Sequence, residues 1–323
     1  MPSVTLAESA KLSQDELITG VIENIITVNH MFQFLPFDGI DGNALGYNRE
    51  NTLGPVAAVG IGDTDGTIGA VATGGVNSTE RLTAKNAATF TYVTSGLTTL
   101  LGDAEVNGLI QATRSSEGND QTAIQIGSKA KSAGRKFQDM LINGDGNNNS
   151  FPGLITLCAT AQKAVTGANG RTFDFDLLDE LIDLILDKDG QVDYFAMPAR
   201  TIRTFMSRLR ALGGASINDV IQLPGGGTVP AYRGIPLFRN DYIPVNVTKG
   251  TTANTSYIFA GTFDDGSRQY GIAGLTAAKA AGLAVVDVGE HQDKDERIWR
   301  VKWYVGLALF SEKGLALADG ITN

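Results

Sequence analysis

Residues 120–142 read DQTAIQIGSKAKSAGRKFQDMLI, the longest uninterrupted helical pattern in the chain. Ala123, Gly127, Ala130, Gly134, Phe137 and Leu141 recur at alternating steps of four and three, which sets them on one face of a helix. Asn119 or Asp120 can cap the start, and Asn143-Gly144 supplies a left-handed stop. At 1.5 Å per residue the rod is about 35 Å long, close to the width of a domain. Most of the stripe is small, and each glycine in a helix interior costs about 1 kcal/mol against alanine. Close approach of a sheet or another backbone would offset that cost, so Gly127, Ala130, Gly134 and Phe137 are expected to form a packing seam. An ordinary amphipathic helix on a globular core is the plainer reading, and the flanking segments weigh between the two.

Downstream, residues 297–310 alternate as a strand, with Trp299, Val301, Trp303 and Val305 on one face and Arg300 and Lys302 on the other. Leu283 to Val288 pairs with it across the charged turn HQDKDE. The face carrying Trp299 and Trp303 is the natural partner for the helix stripe. Between helix and sheet lies an α/β lobe. Asp174 caps a helix with Leu178, Leu181, Ile182 and Ile185 inward and Asp176, Asp179, Glu180 and Asp183 outward. Gly190 ends it, Val192 to Met197 reads as a buried strand, and Pro198 opens a second helix. That helix sets Ile202, Phe205, Met206 and Leu209 against Arg200, Arg203, Arg208 and Arg210. Pro224, Gly225 and Gly226 belong to a glycine-rich loop, and short strands follow at 235–238 and 257–260.

Upstream, Ser13 and Glu16 form a capping box. It opens a helix with Leu17, Val21, Ile25, Val28 and Phe32 along one side, ended by Pro36. So much apolar surface is expected to dock, within the subunit or on a neighbour. Between residues 44 and 98, Gly54, Gly60, Gly62, Gly66, Gly69, Gly74 and Gly75 crowd the middle, and Thr89-Phe90-Thr91-Tyr92-Val93 alternates with β-formers. The middle lacks large apolar residues, so the segment is read as a long hairpin that projects from the body. A hairpin alone is marginal in water, so a projecting one is expected to rest on another molecule. A loose surface insertion is the alternative.

Composition narrows the function classes. The chain has 323 residues, 42% hydrophobic and 19% charged, enough for a sizeable core and unlike a disordered segment. Its 39 glycines exceed the usual ~7%, so many backbone positions are turns or close contacts. A net charge of −9 argues against a duplex-binding protein, which needs a basic footprint. The single cysteine, Cys158, excludes an internal disulfide framework and suits a reducing cytoplasm; its apolar surroundings, LITLCAT, suggest a buried small hydrophobe. Neither a signal peptide nor a transmembrane stretch is read.

Candidates for chemistry fall away one by one. His30 and His291 have no second histidine or cysteine at metal-ligand spacing. Gly60-Ile61-Gly62 starts like a dinucleotide loop but has Asp65 where the third glycine belongs. The Asp145-x-Asn147-x-Asn149 run starts like a calcium loop, yet Ser150 replaces its glycine and Thr156 its glutamate. No catalytic residue, cofactor or metal is expected.

The order of parts is a short arm, a glycine-rich projecting hairpin, a long spine helix, an α/β lobe and a return sheet on the spine. That order resembles the major capsid proteins of tailed bacteriophages, which have the Hong Kong 97-type fold, an α+β architecture. Particular stretches are similar too: TLAESAKLSQDELITGVIENI at 5–25, FLPF at 34–37, GDGNNNSFPGL at 144–154, YRGIPLFRNDYIP at 232–244 and WYVGLALFSEKGLALADGI at 303–321. The resemblance implies an N-terminal arm over 1–43, an extended loop over 44–98 and a peripheral domain over 99–150. An axial domain would cover 151–282, with return strands over 283–323. It also implies a non-enzymatic shell protein assembling as hexamers and pentamers into the head of a virion, in the host cytoplasm.

Subunit contacts are then expected at Leu17, Val21 and Ile25, at the hairpin glycines, and at Pro224, Gly225 and Gly226. A separate scaffolding protein and a portal would be partners, DNA would touch the wall only weakly, and no membrane is involved. The lysine–asparagine crosslink of some relatives is not carried over, because Lys85, the sole lysine between Lys11 and Lys129, lies near the hairpin base. Two other readings stand beside this one: an encapsulin-like compartment of the same fold, and a metal-dependent enzyme using Asp145, Asp187 and Asp189.

Overall fold

The computed structural model describes residues 29–56, 86–114, 120–186, 190–211, 220–223 and 227–322. A single helical turn, Met31–Phe34, leads to β1 (Phe37–Ile40); β2 (Ala44–Thr52) and β3 (Thr89–Gly96) form an antiparallel ribbon. Next come β4 (Thr98–Asn107), a short helix Gly108–Arg114 and the spine helix Gln121–Asn143. The lobe supplies β5 (Arg171–Thr172), a helix Phe175–Leu186, β6 (Tyr194–Met197) and a second helix Ala199–Ala211. It continues with β7 (Val220–Gln222), β8 (Thr228–Tyr232), β9 (Ile235–Arg239), β10 (Val247–Lys249) and β11 (Thr252–Gly261). The chain closes with β12 (Ile272–Ala277), β13 (Ala284–Glu290), β14 (Glu296–Leu309) and β15 (Leu315–Thr322).

Two sheets organise these elements. In the five-stranded sheet β14 is central. It pairs along one edge with β4, from Glu296↔Asn107 to Val305↔Thr98, and along the other with β13 and then β12. The pairing of β13 with β14 across the charged turn is the one the alternating residues predict. Strand β4 was not anticipated, although Leu100, Gly102, Ala104 and Val106 alternate toward the spine side. The eight-stranded sheet runs β5-β15-β11-β6-β9-β8-β7, with β10 added to β11.

This arrangement redraws the expected segments at two points. Ile272–Ala277, assigned to the lobe, belongs to the sheet of β14. Leu315–Thr322, assigned to the return strands, lies inside the lobe's sheet between β11 and β5. The reason is visible in the burial: Leu315, Ala316, Leu317 and Ala318 are all buried, so this run is covered on both faces and belongs mid-sheet. One apolar core spans the two sheets, joining Phe137, Trp303, Leu307 and Leu309 to Tyr194, Phe259, Leu315 and Leu317. A second core lies under the two lobe helices, where Leu177, Leu178, Leu181, Ile182, Ile185 and Phe205 cover Phe195, Met197, Ile258 and Ala260.

Helix ends follow from local chemistry. The Asp120 carboxylate accepts a hydrogen bond from the Thr122 amide at 2.9 Å and caps the spine. The stop differs from the left-handed turn expected at Asn143-Gly144. Gly144 has φ −58°, and its N–H donates to the Met140 carbonyl at 2.9 Å. Glycine is needed there because a Cβ would strike the Phe151 carbonyl. The left-handed residues come later, at Gly146, Asn148 and Asn149. At the N-terminal end, the expected helix through Phe32 is interrupted. Asn29 bridges to Asn240 of the lobe, and its side-chain oxygen accepts from the Phe32 amide, starting a new turn. Leu17, Val21 and Ile25 lie outside the described residues.

Candidate assembly surfaces

The ribbon β2–β3 is tied down at its base. Leu45, Tyr47 and Arg49 alternate onto the side that meets the body. The Tyr47 hydroxyl donates to the Leu309 carbonyl at 2.7 Å. Arg49 donates through Nε to the Phe310 carbonyl at 2.9 Å, through Nη1 to Glu312 at 2.7 Å, and through Nη2 to the Leu309 carbonyl. Its guanidinium also lies 5.6 Å from the Tyr47 ring centroid. These groups satisfy the carbonyls of Leu309, the last residue of β14, and of Phe310 after it, beside an open groove of about 560 Å³. Sequence reading missed Arg49; its signal was the period-two spacing from Leu45 and Tyr47.

The opposite face of the ribbon is bare. Phe90 and Tyr92, two residues apart, are 64% and 68% exposed, too much for aromatic side chains packed within one chain. Tyr92 lies across Gly46, where a Cβ would meet its hydroxyl. Gly54 sits near the described end of the ribbon; a Cβ there would have only ordinary 3.5 Å neighbours, Asn86 and Ala88. Gly60, Gly62, Gly66, Gly69, Gly74 and Gly75 lie outside the described residues.

The spine packs differently from its expected seam. Phe137 is fully buried, with its ring 5.0 Å from Trp303 and 5.6 Å from each of Phe37 and Phe151. Phe137 and Trp303 therefore meet, as the alternation suggested. Gly127 and Gly134 do not face the sheet: a Cβ at either would find no atom within 4 Å. Gly127 is exposed, and Ala130 is half-buried. Of the expected stripe, Phe137 and Leu141 are buried and Gly134 half-buried, while Ala123 toward the helix start is exposed, and the Lys129 stem lies over Gly102 of β4. A lysine stem can cover apolar sheet while its ammonium stays in water. Trp299 is half-buried, with the Arg297 guanidinium 5.6 Å from its ring centroid. Across the sheet Arg300 grips Asp103 with two 2.8 Å hydrogen bonds, which hold that carboxyl below the usual range.

Groups that could carry chemistry are dispersed. Among the described residues no three of His, Cys, Asp or Glu gather to hold a metal ion. No described helix is long and apolar enough to cross a membrane. Asp145 accepts from the Asn147 amide at 2.9 Å and serves the turn after the spine; Asp187 and Asp189 lie outside the described residues. Burial pushes the Cys158 thiol up to about 12, so it stays protonated and unreactive at neutral pH. His30 is held below its usual range by burial and by Arg239, at the point where the arm enters the lobe. His291 accepts from the Asp293 amide in the charged turn. Pro224, Gly225 and Gly226 lie outside the described residues.

No protein-family model and no curated protein sequence matches the chain. Solved structures do. A chain of the holo-SrpI encapsulin complex from Synechococcus elongatus PCC 7942 superposes with TM-score 0.71 at 16% identity, covering 99% of this chain and 96% of that one. The capsid chain of a native GTA particle gives TM-score 0.63 at 15% identity, with full coverage of both chains. A chain of Microbacterium phage Oxtober96 gives TM-score 0.63 at 14% identity, again with full coverage. These superpositions run over essentially the whole length of the chain, so it has the Hong Kong 97-type α+β fold.

Proposed function

We propose that this protein is a non-enzymatic shell subunit that assembles with copies of itself into a closed container. The observation that carries the reading is the ribbon β2–β3. It is clamped at its base by Tyr47 and Arg49 yet presents Phe90 and Tyr92 to solvent, a geometry suited to lying on a neighbouring subunit. The whole-length fold shared with capsid and encapsulin chains supports it. The arm, the glycines between 54 and 75, and the loop at Pro224, Gly225 and Gly226 are the other proposed contacts.

The finer reading is the head of a tailed bacteriophage, built from hexamers and pentamers around double-stranded DNA, with a portal and a scaffolding protein as partners. The net charge of −9 suits it, since a mildly acidic wall would not hold its DNA tightly. An encapsulin-like compartment is the second reading, and the TM-score of 0.71 to the encapsulin chain favours it.

Electron microscopy and nuclease-protected DNA content of the purified protein test both levels. Closed particles with protected DNA are expected for a phage head, particles with a protein cargo for a compartment. A single 34.1 kDa species at every salt and protein concentration would overturn the shell reading. Deleting residues 54–75 should leave the lobe folded by circular dichroism and abolish closed particles.

A further inference from the structure

The two lobe helices lie side by side in one layer. Phe175 at the start of Phe175–Leu186 meets Phe205 of Ala199–Ala211 at 5.6 Å, and Tyr232 packs on both rings at 5.9 and 6.3 Å. Their inner faces share the second core. Their outer faces carry opposite charge. On the first helix Asp179 is held by Tyr232 and Arg233, and Glu180 by Arg171, which leaves Asp176 and Asp183 exposed. On the second, Arg200 donates to the Asn254 carbonyl, which leaves Arg203, Arg208 and Arg210 exposed, with Arg203 and Arg210 on one side and Arg208 on another. Among the described residues, none of these five makes an ion pair or a side-chain hydrogen bond.

The spacing of the two rows matches. Asp176 and Asp183 are seven residues apart, as are Arg203 and Arg210, so each pair stands on one side of its helix with its members about 10.5 Å apart. A row of two carboxylates and a row of two guanidiniums at equal spacing are complementary. Lying side by side in one layer and both facing outward, they do not neutralise each other within the subunit.

We propose that these rows meet between copies: Arg203 and Arg210 of one subunit dock on Asp176 and Asp183 of the next, and so set which lobe faces which in the assembly. The proposal rests on the shell reading. Rim charges of this kind chiefly govern encounter and register, because opposite rows attract and like rows repel. They are exposed, so salt screens them.

The test reverses each row in the full-length chain. Arg203→Glu with Arg210→Glu should lower the assembled fraction in low salt by about tenfold, and so should Asp176→Arg with Asp183→Arg, since like charges then face each other. The fourfold variant carrying both reversals should assemble within about twofold of wild type. Unchanged circular-dichroism melting of each variant confirms that the lobe is folded. A second measurement avoids charge reversal altogether: Asp183→Cys with Arg210→Cys, treated with a short bis-maleimide after assembly, should give linked subunits on denaturing gels. Either reversal assembling like wild type overturns the contact, as does a folded fourfold variant no better than its parents, or a gel showing monomer alone. Wild-type protein that forms no particles would instead remove the shell reading, and this contact with it.

Discussion

Gly127→Ala and Gly134→Ala should each stabilise the subunit. Both glycines lie inside the spine, and a Cβ at either would meet nothing within 4 Å, so no overpacking opposes the change. What remains is the helix term, about 1 kcal/mol per site for glycine to alanine. The sites are two turns apart, about 10.5 Å, and share no neighbour, so the effects should add to about 2 kcal/mol. A seam against the return sheet at these positions would instead have required a loss of about 1–3 kcal/mol. The assay is urea unfolding of dissociated subunits followed by circular dichroism, comparing midpoints at unchanged slope. A lower midpoint for any of these variants would refute the reasoning and put a packed surface over that face. Variants that are more stable as subunits yet fail to assemble would show that the bare face is kept for a neighbour's backbone.

Arg49→Ala removes three charge-assisted hydrogen bonds from the ribbon base, and such bonds contribute about 1.5–3 kcal/mol each at most; amide exchange at Tyr47 to Asn51 should quicken while the lobe helices stay protected. Gly306→Ala would bring a Cβ to 2.5 Å from the Gly96 carbonyl at the centre of the five-stranded sheet, so a loss of about 1–3 kcal/mol is expected on thermal unfolding, the reverse of the spine glycines. The Cys158 thiol is raised in the folded protein from 9.0 to about 12, so the unfolded chain loses its proton first as pH rises. Its contribution to stability is whole below about pH 9 and is lost as pH climbs toward about 12. Wild type should therefore lose stability over that window faster than Cys158→Ala, and a thiol reagent at pH 8 should react only after denaturant is added.

How far the sequence reaches can be seen at single residues. The spine and the two lobe helices were legible because each writes its buried face as a period of 3.6, and β14 as a period of 2; β6, buried at every residue, was legible as a short apolar run between turn signals. The meeting of Phe137 with Trp303 was legible from these periods. The open space at the glycines was not. Gly127 and Gly134 carry the same period as Phe137 and Leu141, yet a Cβ at either glycine meets nothing within 4 Å, because the sheet packs closely only on the C-terminal part of the spine. The placement of β12 and β15 was equally hidden: continuous apolar runs such as Leu315–Ala318 specify burial on both faces without naming the neighbours. The spacing of Arg49 from Leu45 and Tyr47 marked its face, but its partners were hidden: two are the backbone carbonyls of Leu309 and Phe310, which leave no mark in the sequence, and all lie more than two hundred residues away. Periodicity records which face of an element is buried; which surface covers it is set by long-range packing, and only the tertiary structure decided that.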